Sequence, residues 1–322
     1  MKKLTKNKFI DFIITQNCTY SCSYCSQSKN FQKEKKNAND ETINSFYKLL
    51  STLNKDYEIT ITGGEALLHP KFFEIIEATK NFGFKINLIT NFSFKKETYE
   101  KIFNVLGDNL NRFDISFHLD EIKDFNSTIE KLEEIINLKP KKTKTVFLIP
   151  IYKIDNSKDE KIKKILSVAK KYDLDYDFQH IRLLNKYEKQ TEKEEKYFKN
   201  SNNSFSKKRK AFASICSAGS NSAVIYENGE CYRCYSSRFL KTNNLGNIKD
   251  KNFSLMSNSA PCANLKCTCP KPFLYNQISD RKNYFLTGLM VLKNAGYLPI
   301  LFFKKRRIVL EKLKQYFSLK LK

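Results

Sequence analysis

A chain of 322 residues is longer than one average domain and shorter than three, so a catalytic body with a smaller attached unit is expected. Hydrophobic residues at 41% and aromatics at 13% are enough for a core, which excludes wholesale disorder despite the high charge. The net charge of +24 is spread in KK and KxK pairs and concentrated only at the C-terminal end. It fits either an anionic partner or a compositional bias toward Lys, Asn, Ile, Phe and Tyr.

The first strand is predicted over 9–14 and runs into a cysteine group. A helix capped by Asn39 or Asp40 follows over 39–53, with apolar residues at helical spacing. Residues 58–62 read as a second strand ending at Gly63-Gly64, and 72–81 as a helix with Pro70 in its entry turn. The rhythm continues with a strand over 85–90, a helix over 95–106, a strand over 113–118 and a helix over 127–138. A strand over 145–149, ended by Pro150, a helix over 159–172 and a sixth strand over 175–181 complete it. Six strands alternating with helices predict an α/β fold: a partial (β/α)6 barrel of parallel strands over 1–181, with functional loops at the strand C-terminal ends. Residues 182–210 are polar and read as a charged linker or exposed helix. Residues 211–270 form a small cysteine-rich unit, with too little apolar material to fold firmly without staples or metal. Residues 271–322 are an apolar and basic tail.

No apolar run precedes Asp11, which excludes a secretory signal; a cytoplasmic protein with reduced thiols is expected. Its nine cysteines therefore point to metal or redox chemistry. Three lie near the N-terminus and six between 216 and 269, where ordinary core cysteines would be scattered. Cys18, Cys22 and Cys25 have the spacing C-x3-C-x2-C. Three thiolates can hold three irons of a cubane and leave the fourth open to a small-molecule ligand. A zinc ribbon would need a second nearby pair, and no Cys or His follows until His69.

This motif after a first strand, with the aromatic Tyr24 before the third cysteine, resembles the signature of the radical S-adenosylmethionine (SAM) superfamily. Thr62-Gly63-Gly64-Glu65 at the end of the second strand resembles the family's GGE motif, which holds the amino group of SAM. Leu88-Ile89-Thr90-Asn91 resembles its third strand ending in TNG, with Phe92 in place of glycine. Ile115 to Asp120 resembles the fourth strand, whose Ser and Asp, here Ser116 and Asp120, line the ribose and carboxylate region. Strand-end capping is the other reading of Ser116 and Asp120. The resemblance implies a 4Fe–4S cluster on Cys18, Cys22 and Cys25, with SAM held by Tyr24, Gly63, Gly64, Glu65, Asn91, Ser116 and Asp120. It further implies reductive cleavage of SAM to a 5′-deoxyadenosyl radical that abstracts hydrogen from a substrate. No catalytic acid or base is identified; His118 and His180 stand at strand ends and His69 belongs to the glycine loop.

Cys216 to Cys234, with spacing C-x12-G-x4-C, resembles the opening of the SPASM and shorter twitch domains that bind auxiliary clusters. The count of six cysteines supports one complete auxiliary 4Fe–4S cluster, on Cys216 and Cys234 with two of Cys262, Cys267 and Cys269. Cys231 lies off the pattern, as a spare thiol or a ligand of a second, incomplete cluster. A structural zinc on four of the six stays open. The tail carries an apolar helical face beside Lys304-Lys305-Arg306-Arg307, suited either to peripheral contact with an anionic membrane surface or to packing on the barrel. The expected substrate is a peptide or protein; a glycan, lipid head group or other small metabolite is the alternative, and an iron–sulfur or zinc binding module the non-enzymatic one. With Cys18 so near the start, no leader-binding domain is expected before the barrel. An acidic flavodoxin or ferredoxin is the expected electron donor. Nucleic acid is not expected, since no RNA-binding module is present.

Overall fold

The computed structural model describes residues 8–25, 36–183, 186–187, 191–199, 209–210, 215–240, 242–262, 266–267 and 277–278. Six strands, β1 (Lys8–Thr15), β2 (Tyr57–Gly63), β3 (Lys85–Thr90), β4 (Leu110–Ser116), β5 (Lys144–Ile151) and β6 (Asp175–His180), lie side by side in chain order. Each is parallel to the next. The helices between them are α1 (Asp40–Thr52), α2 (Phe72–Asn81), α3 (Lys96–Leu106), α4 (Phe125–Leu138) and α5 (Asn156–Lys171).

The residue pattern explains these elements. Asn39, Asp124 and Asp155 each accept a bond from a backbone N–H in the first turn of α1, α4 and α5, satisfying one orphan donor per helix. Alternate strand residues such as Ile10, Phe12, Ile14, Ile59, Ile61, Phe113, Ile115, Phe147 and Ile149 enter the main core with the helices' buried residues. The intervening positions are more polar, among them Asp11, Thr60, Asn87, Asp114 and Asp177.

Pro150 does not end its strand, as expected from sequence, but lies inside β5. Leu148 directs its carbonyl toward the β4 side, where it accepts from the Phe117 N–H at 2.8 Å. Pro150, two residues on, faces the same side, and β4 has ended by then. The missing N–H therefore costs no ladder bond.

The sheet continues beyond the barrel. Strand β7 (Ser222–Ile225) pairs in parallel with β1, opposite β2, and β8 (Glu230–Tyr232) and β9 (Asn244–Asn247) follow antiparallel to give a nine-stranded sheet. The cysteine-rich unit thus shares the barrel's own sheet. Within 182–210, α6 (Glu192–Lys199) opens with a reciprocal capping box, Thr191 with Glu194, and buries Tyr197 against Phe178.

Candidate functional site

Three strand ends meet at the mouth of the barrel. The loop after β1 carries Cys18, Cys22 and Cys25, all free thiols. The end of β2 is pressed against it: the Gly64 N–H donates to the Thr15 carbonyl at 2.9 Å and the Glu65 N–H to the Asn17 carbonyl at 2.7 Å. A Cβ on Gly63 would lie 2.6 Å from the Thr15 oxygen, and one on Gly64 2.3 Å from the Asn17 oxygen. Both partners are backbone and cannot swing aside, so this approach of two chain segments demands glycine at each position.

Glu65 is buried with its carboxylate fully engaged. It accepts from the Asn91 N–H at 2.7 Å, from the Leu67 N–H at 3.3 Å and from the Thr90 hydroxyl at 3.1 Å. Burial outweighs these donors and raises its pKa to about 7. The carboxylate thereby locks the end of β3 to the end of β2. Asn91, aimed back across this junction, donates to the Cys18 sulfur at 3.6 Å and to the Thr19 hydroxyl at 2.9 Å. Phe92 adopts a left-handed conformation, φ 62°, the one that a glycine would occupy with ease.

From the loop just after β4, His118 reaches the cysteine loop. Its Nδ1 lies 3.4 Å from the Cys22 sulfur and 3.1 Å from the Tyr24 hydroxyl, and its Nε2 lies 3.1 Å from Ser116 Oγ. Burial lowers the His118 pKa to about 4. Burial likewise pushes the Cys22 thiol up to about 12, with smaller contributions from Glu121, Cys25 and Cys18. The three thiols therefore sense one another, although no three His, Cys, Asp or Glu side chains among the described residues form a ready-made cage. Thiolate ligands are drawn together by the charge of the metal they bind, and three free thiols on one loop suit an iron–sulfur group. Asp120 is ion-paired to Lys158 at 2.6 Å and lies near enough to Tyr24 for its charge to act on that hydroxyl.

In the cysteine-rich region, Cys216 and Cys234 pack against Phe9 and Ala218. The buried Arg233 guanidinium donates to the carbonyls of Ala218 at 2.6 Å, Cys216 at 2.9 Å and Ala260 at 2.8 Å. One side chain thus stitches together the segments that carry Cys216, Cys234 and, two residues past Ala260, Cys262. Cys267 has its backbone in a short ladder with Arg209, and Cys269 lies outside the described residues. Cys231 is fully buried in the main core, where burial strongly raises its pKa.

The model of the radical SAM superfamily matches residues 12–168, and that of the SPASM iron–sulfur cluster-binding domain matches 216–280. The chain belongs to the radical SAM superfamily. With that membership come a 4Fe–4S cluster and SAM, and with the SPASM domain auxiliary iron–sulfur binding. No curated protein matches the chain. Among solved structures, Streptococcus suis SuiB bound to precursor peptide SuiA is 12% identical with a TM-score of 0.56, over 76% of this chain and 63% of SuiB. The enzyme anSMEcpe with bound AdoMet is 19% identical with a TM-score of 0.50, over 76% of this chain and 78% of that one. The chain thus spans less than two thirds of SuiB, and at these identities the likeness is one of fold.

Several residues of this radical SAM chain escaped the motif reading. Glu121 accepts from the Ser21 N–H at 3.2 Å, tying the loop after β4 to the cysteine loop. Lys131 donates to the carbonyls of Phe92 and Phe94 at 2.9 and 2.7 Å and holds the left-handed turn. His118 carried a signal only as a histidine at the end of a predicted strand; it lies two residues beyond the end of β4. His69 is structural: Nε2 meets the Ala38 carbonyl at 2.9 Å and Nδ1 accepts from the Lys71 N–H at 3.0 Å. The tail over 279–322 lies outside the described residues, among which no helix is long and apolar enough to cross a membrane.

Proposed function

We propose that this chain is a radical SAM enzyme acting on a peptide or protein, with the reacting centre at the mouth of its barrel over 1–181. The observation that carries the reading is the junction of the three strand ends, where Glu65 binds Asn91 and Asn91 binds Cys18. Cys18, Cys22 and Cys25 would hold the 4Fe–4S cluster, and Tyr24, Gly63, Gly64, Glu65, Asn91, Ser116 and Asp120 would surround SAM. Bound there, the cluster and SAM supply reductive carbon–sulfur cleavage and a 5′-deoxyadenosyl radical for hydrogen abstraction.

The chain's own residues supply position and exclusion of water. Glu65 and Asn91 fix β2, β3 and the cysteine loop as one surface. An ammonium brought near the buried Glu65 carboxylate would favour its ionised form and draw its pKa below about 7. Tyr20, Tyr24 and Tyr152 surround His118 and Cys22 with aromatic surface that keeps solvent from the centre. One auxiliary cluster would sit on Cys216 and Cys234 with two of Cys262, Cys267 and Cys269, in the unit over 211–270. A peptide substrate is supported by SuiB, which is bound to a precursor peptide, and by anSMEcpe, which is bound to the Cp18Cys peptide.

The test is release of 5′-deoxyadenosine from anaerobically reconstituted, dithionite-reduced protein given SAM. Wild type is expected to release it and Cys22→Ala to release none; absence of release from an iron-loaded wild type, with or without added substrate pools, overturns the reading. Release should rise with a peptide fraction of lysate and stay level with the small-metabolite fraction; the reverse favours a metabolite substrate. With flavodoxin as donor, turnover should fall as salt screens the basic surface, and equal rates at low and high salt count against an acidic donor.

A further inference from the structure

The reading of Cys18, Cys22 and Cys25 as cluster ligands leaves one neighbour without a role. His118 places a ring nitrogen 3.4 Å from the Cys22 sulfur, and Ser116 lies 3.1 Å from its other nitrogen. Resting on that reading, we propose that His118 is a positioning residue, held by Ser116, that donates a hydrogen bond to the Cys22 thiolate and raises the reduction potential of the cluster.

The tautomer follows from the partners. A coordinating thiolate only accepts hydrogen bonds, so the nitrogen facing it must carry the proton. Nδ1–H then points at Cys22, and Nε2 accepts the proton of the Ser116 hydroxyl. In the other tautomer a lone pair on Nδ1 would face the negative sulfur, and the field of the thiolate disfavours it. The Tyr24 hydroxyl, 3.1 Å from the same Nδ1, also bonds the Cys22 sulfur; its proton goes to the sulfur, which leaves Nδ1 free to keep its own. The Tyr24 ring stacks near the imidazole at 5.9 Å between centroids, and Tyr20 meets it edge-on at 6.0 Å. The imidazole cannot easily turn away from the sulfur in this setting.

A hydrogen bond to a ligand sulfur withdraws charge from the cluster and stabilises the reduced, more negative state. His118 therefore makes one-electron reduction easier at the site where SAM must be cleaved. This function differs from filling space between two tyrosines, and two substitutions separate them. Phe at 118 keeps the ring and loses the donor. Asn keeps a donor at the position of Nδ1 and loses the ring.

The measurement is an electron paramagnetic resonance redox titration of the fully reconstituted chain. It follows the component of the spectrum that changes when SAM is added, which separates the Cys18–Cys25 cluster from any auxiliary one. Wild type and His118→Asn are expected to share a midpoint, and His118→Phe to shift to a more negative one. Ser116→Ala, read at saturating SAM because Ser116 also stands among the residues placed around SAM, frees the second nitrogen while keeping the ring and should shift it less and in the same direction. This variant keeps the test open if His118→Phe fails to load iron. Equal midpoints in wild type, Ser116→Ala and any loaded His118→Phe overturn the proposal and leave the cluster reading intact. A shift in His118→Asn as large as in His118→Phe overturns it too, in favour of packing. Absence of any SAM-responsive component in wild type overturns the cluster reading and the proposal with it.

Discussion

Phe92 occupies a turn where glycine would be at ease, and the structure gives the terms needed to predict what its replacement does. Its φ of 62° is left-handed, a conformation that costs a residue with a Cβ about 1–2 kcal/mol. Against that, the ring is 2% exposed, stacks on Tyr99 at 4.8 Å and lies 4.5 Å from the Lys131 ammonium. Loss of a buried phenylalanine ring costs about 3–5 kcal/mol. Phe92→Ala keeps the strained backbone and loses the ring, so a destabilisation of about 4 kcal/mol is expected. Phe92→Gly loses the same ring but relieves the backbone. After about 0.4–1 kcal/mol for glycine's extra freedom in the unfolded chain, it should be the more stable of the two by about 0.5–1 kcal/mol. That order reverses the usual one, in which alanine is the better residue. Urea unfolding of the reduced apoprotein by circular dichroism, read as a shift in midpoint at constant slope, measures both. Alanine equal to or better than glycine, or a loss below about 1 kcal/mol in both, would refute the account of this turn.

Glu65, raised from 4.5 to about 7 by burial, binds a proton more readily folded than unfolded. Its contribution of up to about 3 kcal/mol is therefore present below about pH 4.5 and lost as pH rises through about 7. Apoprotein stability measured from pH 5 to 8 should fall less steeply in Glu65→Gln than in wild type, and identical slopes would contradict the shift. Gly64→Ala forces a Cβ to within 2.3 Å of the Asn17 carbonyl. The clash should cost about 1–3 kcal/mol, and iron retained after reconstitution should fall; normal iron content would show that the loop yields. Cys231→Ala should leave total iron unchanged and lower stability by about 1 kcal/mol, whereas Cys234→Ala should lose auxiliary iron. Equal iron losses would make Cys231 a ligand after all.

Local pattern told most where local forces decide. The helix expected over 72–81 and the strand over 85–90 have those bounds in the structure, because apolar spacing and flanking polar residues speak for themselves. Residues 113–118 read as a strand, yet β4 begins at Leu110 and stops at Ser116, since its register is set by β3 and β5. The pairing of Ser222 with Phe9 joins residues more than two hundred positions apart, and no short-range signal encodes it. At the candidate site, the cysteine and glycine spacings marked the loops that meet. Why the glycines are needed was not legible: the sequence marks them only through the GGE resemblance, whereas the backbone of Thr15 and Asn17 demands them. Lys131 and Glu121 act on the site from the loops' far sides, and their spacing to the motifs has no period to betray them.

Strand β1 also sets a length. Phe9, at its start, touches Cys216 and Cys234, while the loop beyond Thr15 carries Cys18, Cys22 and Cys25. The six steps from Phe9 to Thr15 span roughly 20 Å of extended chain. A ladder with β2 runs alongside those steps to Thr15, with one irregularity between Ile13 and Thr15, and β7 pairs with Phe9 to Phe12 on the other side. The two cysteine groups are thus the two ends of a ruler that cannot shorten without breaking its ladder with β2 and, over its first half, its ladder with β7. Whatever electrons or substrate groups pass between them must cover a distance written into a single strand.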